Sequence, residues 1–217
     1  MDTPTNAGRK NEPATPPQND PTSLPDELLA LAQALITTRH HVSPKRLVEP
    51  GPTADQLHDL FTLAAAAPDH GLLTPWRFVI VPGDKRHLLG EVFAQALVDR
   101  DPAAAPEQIE EAREKAARAP LLMVAIACLD PREPNTPPLE RMISMGAAIQ
   151  NLMLGAHAMG FGCGLTSGRA MASPRLRALL QLADEEEPVC CVNIGTVGKR
   201  KAGSTVRPAP GNFTTVL

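Results

Sequence analysis

Between Met142 and Gly168 the chain carries no Asp, Glu, Lys or Arg. An uncharged stretch of this length belongs either in a bilayer or inside a folded protein. Gln150 and Asn151 stand at its middle, His157 follows two turns later, and glycines recur after Ser144. These features favour a long helix, Leu139 to Met159, buried between other protein elements. Gly160-Phe-Gly-Cys-Gly164 then leads into a short strand.

Such a helix needs a surface to cover. Leu121 to Leu129 is an unbroken apolar run behind Pro120, short enough for a fully buried strand. Trp76 to Val81, closed by Pro82-Gly83, and Val189 to Thr196 read as further strands. Helices are predicted from Ser23, with Pro25 in the first turn and an apolar stripe of Leu28, Leu29, Leu31, Ala32, Leu35 and Ile36. Thr53-x-x-Gln56 is a capping-box start for a second helix running to about Ala66, ended by Pro68. Asp84 to Arg100, Pro106 to Arg118, and Ser173-Pro174 to about Leu182 complete the helical segments. Residues 39 to 52 and 130 to 138 are read as loops, and Asp184-Glu-Glu-Glu187 as a solvated loop. Few hydrophobic strands among helices give an α/β or an α+β fold: a small central β-sheet flanked by helices on both faces.

Residues 1–22 form a Pro-rich tail with almost no large apolar side chain, expected to be disordered. Residues 23–217 are expected to form one domain, including a polar, extended C-terminal arm with Lys199, Arg200, Lys201 and Arg207 and no acidic residue. Hydrophobic residues make up 43% of the chain and the net charge is −3, which points to neither nucleic acid nor membrane. Cys128, Cys163, Cys190 and Cys191 sit in apolar surroundings without Cys-x-x-Cys spacing or a His cluster. They read as buried reduced thiols rather than a zinc site, which favours the cytoplasm.

Four segments are candidates for chemistry. Gly160-x-Gly-x-Gly164 follows a helix rather than a strand, so it is not a dinucleotide turn. It is either a helix stop with tight backbone packing or, the favoured reading, a place where backbone approaches a flat ligand. Arg39-His40-His41 offers a guanidinium fork for phosphate, or is a solvated loop. Ala67-Pro-Asp-His-Gly-Leu-Leu-Thr-Pro-Trp76 holds an Asp-His pair that either orients an imidazole or caps a helix-ending turn. No Ser or Cys stands in a context that would complete a hydrolytic triad. The basic C-terminal arm contacts a phosphate or a partner subunit, or only solubilises.

The order of these pieces resembles the compact bacterial nitroreductases over about residues 25 to 217. The resemblance rests on the Arg39 turn, Glu-Pro-x-Pro, Ala-Pro-Asp-His…Pro-Trp, a long apolar helix into Gly-Phe-Gly-x-Gly, Ser-Gly, and Ile-Gly-Thr before the arm. It implies an α+β fold with FMN held at the interface of a homodimer, the long central helix at that interface and NAD(P)H as co-substrate. The apolar helix, with Met142, Met145 and Met153 read as a Met-rich surface, suits that interface. By position, Arg39, His40 and His41 match the family's phosphate and ribityl contacts, Ala66 and His70 its flavin-side positions, and Leu165, Thr166 and Ser167 the segment beside the ring. Gly155, Ala156, His157, Ala158, Met159 and Gly160 match the stretch assigned to the nicotinamide nucleotide. Arg207, and more weakly Lys199, match phosphate contacts. Arg-Arg-Ser/Thr is the family pattern at 39–41, relatives often carry Arg at 66 and Trp at 165, and this chain departs at 40, 41, 66 and 165.

The implied activity is hydride transfer from NAD(P)H through flavin to nitroaromatic or quinone-like small molecules. No obligatory catalytic side chain and no metal follow from it; His70 is a candidate proton donor. A specialised flavin enzyme of the same fold (a dehalogenase or a flavin-fragmenting enzyme) and a non-catalytic flavin-binding protein are the alternatives. The segment 101–118 is the candidate lid.

Overall fold

The computed structural model describes residues 23–130, 135–199 and 207–217. The expected tail at 1–22 and the basic residues Arg200 and Lys201 lie outside the described residues, as do four positions of the predicted loop at 130–138. Helix α1 (Ser23–Thr38) belongs to a compact unit that ends at Thr37; residues Thr38–Leu217 form a second unit. On α1 the predicted stripe exists but is uncovered: Leu28, Leu29, Leu31 and Ile36 are all exposed.

The second unit is built on an antiparallel sheet. Its strands are β1 (Leu47–Val48), β2 (Trp76–Ile80), β3 (Leu121–Cys128), β4 (Gly162–Thr166) and β5 (Glu186–Val197). β3 lies between β2 and β5, and the far edge of β5 pairs with β4 and then β1. The helices are α2 (Ala54–Ala65), α3 (Arg86–Arg100), α4 (Pro106–Glu114), α5 (Pro138–Ala158) and α6 (Pro174–Leu179).

β3 shows why its apolar run is unbroken. Successive strand side chains point to opposite faces. Met123, Ala125 and Ala127 pack on one side with Leu60 and Ala64 of α2 and Met145, Ala148 and Leu152 of α5. Leu122, Val124 and Ile126 pack on the other with Leu89 of α3 and Leu176 of α6. All six β3 residues are at most 1% exposed. Burying a large apolar side chain contributes about 1.5–3 kcal/mol, so β3 anchors both halves of the core.

The capping box forms as predicted. The Gln56 N–H donates to Thr53 Oγ1, and the Thr53 N–H donates to Gln56 Oε1 at 3.0 Å. Four expectations need correction. Met145 and Met153 are 1% and 5% exposed, so they fill this chain's own core rather than a surface; Leu139 and Ile143 are the exposed apolar residues of α5. The segment 39–52 is not all loop, since it holds a 3-10 turn (Pro44–Arg46) and β1. Glu186 and Glu187 are in β5, where Glu186 is partly buried against Arg77, so that acidic run is only partly solvated. α6 is also shorter than predicted, because Gln181 turns to φ 51 just beyond it. No helix among the described residues is long and apolar enough to cross a membrane.

Candidate functional site

The run Arg39 to Ser43 passes alongside β4. His41 bridges Cys163 in parallel register, and the Val42 N–H donates to the Cys163 carbonyl at 3.0 Å. This contact explains the glycine block. A Cβ on Gly164 would lie 2.1 Å from the Val42 carbonyl oxygen, and one on Gly162 would lie 2.6 Å from Val197 Cγ2. Gly160, at φ 85, ends α5: its N–H donates to the His157 carbonyl while the Phe161 N–H reaches back to Ala156. At Gly162 and Gly164 the backbone and side chains that come close are this chain's own.

Around the last turn of α5 the structure gathers several of the predicted residues. Arg39 is half-buried, and its Nε is buried with no hydrogen-bond partner. Arg207 Nη2 donates to the Arg39 carbonyl at 3.1 Å. His157 Nε2 lies 2.8 Å from Thr38 Oγ1. Burial first, then the charges of Arg39 and His40, hold the His157 pKa below its ordinary value. His40 and His41 are exposed, as is Lys199 just past β5. Gly155 and Ala156 face inward: a Cβ on Gly155 would meet Leu63 at 2.4 Å, and Ala156 is fully buried. His157 and Met159 are partly buried, and Ala158 and Gly160 are exposed. A buried guanidinium N–H without an acceptor is costly, and an anion's oxygen would satisfy it. The group therefore fits the phosphate of FMN.

Beyond β4, Thr166 and Ser167 line a cavity of about 340 Å³. A bulge in the β3–β5 pairing near Val189 leaves the Val189 carbonyl to accept from Ser167 Oγ at 3.0 Å. Asn193, 1% exposed, donates to Thr166 Oγ1 and to the Gly164 carbonyl. Leu165, between them in sequence, packs on the α5 side of the sheet. The cavity wall also carries Ser43, Arg100, Lys115, Arg118 and Arg169, with no carboxylate among the described lining residues. Sequence reasoning missed these cations, because Lys115 and Arg118 sit in a segment that reads as a solvated helix face. Arg86 fixes their turn. Its buried guanidinium donates to the carbonyls of Val81, Ala116, Ala119 and Pro120. Burial lowers the Arg86 pKa from its ordinary value.

The remaining predicted residues lie elsewhere. Ala66 caps α2 and is exposed. Asp69 does not orient His70. Its Oδ2 instead accepts from the Thr74 N–H at 2.6 Å and ties off the loop. His70 Nδ1 lies 2.6 Å from Glu140 Oε1, in the first turn of α5. No local signal could have shown that partner, which is 70 residues away. The loop after His70 has left-handed backbone at two non-glycine residues: Leu72 and Thr74 have φ of 54 and 47, following Gly71 at 79. Glu140 and His157 stand 17 positions apart on one helix, a separation of about 25 Å. One chain thus carries the His70 group and the Arg39 group at opposite ends of α5.

The comparisons with known proteins agree with this architecture. The model of the family described as "Nitroreductase family" matches residues 39–196. A Haemophilus influenzae protein named "Putative NAD(P)H nitroreductase" is 34% identical over 79% of this chain and 90% of its own length. The crystal structure of a nitroreductase-like family protein from Bacillus cereus superposes with a TM-score of 0.72 at 22% identity, covering 86% of this chain and 95% of that one. An FMN- and NADPH-dependent nitroreductase from a sphigopyxis strain superposes with a TM-score of 0.68 at 18% identity, covering 85% of this chain and 98% of that one. The chain belongs to the nitroreductase family.

Proposed function

We propose that this protein is an FMN-dependent oxidoreductase that carries hydride from NAD(P)H to small flat acceptors, nitroaromatics or quinones. The observation that carries the reading is Arg39: a buried, unpartnered guanidinium N–H beside Arg207, His40 and His157, poised for a phosphate. The similarity to an FMN- and NADPH-dependent nitroreductase supports the choice of cofactor and donor.

Each group then has a task. Arg39 and Arg207 bind the phosphate as charge-assisted donors. His40 and His41 add contacts along the ribityl chain. Thr166 and Ser167, fixed by Asn193 and the Val189 carbonyl, hold the ring edge with Lys115. Leu165 supports that strand from beneath. The end of α5 serves the nicotinamide nucleotide: Ala158 and Gly160 from the surface, Gly155 and Ala156 by packing the turn onto α2. Bound there, FMN would supply the redox chemistry between the NAD(P)H hydride and the acceptor, for which the protein need provide no nucleophile. Glu140, which holds His70, is about 25 Å along α5 from the phosphate group, so a second copy of the chain completes the site. The exposed Leu139 and Ile143 on α5 suit such a homodimer.

The test is optical. The purified protein, or the protein incubated with FMN, should be yellow, should bleach on anaerobic addition of NADH or NADPH, and should recolour when a nitroaromatic or quinone is added. A protein that takes up no FMN refutes the flavin reading. A yellow protein that neither donor bleaches refutes the reductase.

A further inference from the structure

We infer that Glu140 is a positioning residue for His70: it fixes the imidazole as the Nδ1–H tautomer and leaves Nε2 as the atom that exchanges a proton with the acceptor. The inference rests on the reductase reading above.

The geometry is specific. His70 Nδ1 meets Glu140 Oε1 at 2.6 Å, and a carboxylate only accepts, so the ring must donate from Nδ1. A neutral imidazole carries one N–H, which leaves Nε2 with a lone pair. Glu140 makes no capping box with its own helix, because the N-cap residue is Pro137, which has no N–H to donate. His70 is 65% exposed at the side chain, so Nε2 is open to a ligand on the outer side.

The loop is shaped for this meeting. Asp69 clamps the Thr74 N–H, and Leu72 and Thr74 are both held in the left-handed region, an uncommon state for a leucine and more so for a β-branched residue. Leu72, two residues on in the same loop, is 88% exposed and offers apolar surface to a flat acceptor. Such left-handed backbone persists only where its surroundings hold it, and here it lies beside the imidazole–carboxylate pair.

The step balances. Reduction of a quinone adds one hydride and one proton. With Nε2 protonated, its N–H bond breaks as an O–H bond forms on the acceptor, and the electron pair stays on Nε2. The Nδ1–H stays bonded to Glu140 throughout, and water returns a proton to Nε2.

The experiment uses the FMN-loaded protein with 15N-labelled histidine, with the His70 ring assigned through His70→Gln. The wild type should show the Nδ1–H pattern. Glu140→Ala and Glu140→Gln should lose it or populate Nε2–H, and Glu140→Asp should restore it in part. With NADPH and a benzoquinone, Glu140→Ala should lower kcat by about tenfold or more, while FMN affinity and the KM for NADPH hold. A wild-type Nε2–H tautomer, or one indifferent to Glu140, overturns the positioning role. A tautomer shift with unchanged kcat overturns the proton-transfer role. A protein with the expected tautomers that never oxidises NAD(P)H refutes the reductase reading and the proton step with it, and leaves Glu140 holding His70.

Discussion

Arg77 on β2 and Glu186 on β5 close a two-point ion pair over the intervening strand β3, with Arg77 Nη2 donating to Glu186 Oε2 at 2.7 Å and Nε donating to Oε1. Glu186 also accepts from the Ala183 N–H, and its side chain is only 14% exposed. The Arg77 hydrogen bond is the main cause that holds its carboxyl below the usual range. Arg77→Leu leaves that carboxylate partly buried without its partner. The expected loss is about 2 kcal/mol at neutral pH, below the full buried-pair range because Arg77 is partly in water. Urea denaturation measures it. The folded pKa is depressed, so the stabilisation is complete above the unfolded carboxylate value and is lost as pH falls through the folded one. The gap between wild type and variant should therefore narrow on acidification below about pH 4.3.

Two glycine substitutions should act in opposite directions. Gly164→Ala drives a Cβ onto the Val42 carbonyl. It should destabilise by about 3 kcal/mol and displace the Arg39–Ser43 run, weakening FMN binding. Gly146 is on α5 with nothing within 4 Å of its would-be Cβ. Gly146→Ala should stabilise the chain by up to about 1 kcal/mol. Thermal melts of both variants check the pair. A clear loss at Gly146 would mean that a second copy covers that face.

His157 should give the protein a mildly acid-sensitive element. Its folded pKa lies below its ordinary value of 6.5, mainly through burial. The unfolded chain therefore binds the proton more readily, and stability rises with pH across the interval between the two values. On acidification the loss should begin near pH 6.5 and level off below the folded value. His157→Gln should flatten that part of the stability–pH curve, as chemical denaturation at a series of pH values will show.

Arg39→Ala and Arg207→Ala should each weaken FMN binding by about ten- to a hundredfold, the range for a hydrogen bond to a charged group. Riboflavin, which has no phosphate, should bind wild type and variants alike. Quenching of flavin fluorescence measures both. Equal loss for FMN and riboflavin would remove the phosphate role.

What could be read in advance followed the distance over which the signal acts. The Thr53–Gln56 box is four residues long and forms as written. The apolar run at 121–129 announced a buried strand, though not which side chain faces which helix, since a strand buried on both faces shows no alternation. The glycine block was visible, but its cause was not: the atoms that crowd Gly164 belong to Val42, 122 positions away. Glu140 and Glu186 were misread or missed for the same reason, because their partners His70 and Arg77 are distant in sequence. Composition put Met145 and Met153 on an apolar helix but could not say that their own chain buries them.

The alternation along β3 has a consequence for how the molecule can change. Met123, Ala125 and Ala127 touch only the α2–α5 half of the interior, while Leu122, Val124 and Ile126 touch only the half backed by α3 and α6. A volume change at an odd position is absorbed on one side and one at an even position on the other. The wall beneath α5 and the wall beneath the Lys115–Arg118 cavity can therefore drift separately, and a lineage could reshape one while inheriting the other intact.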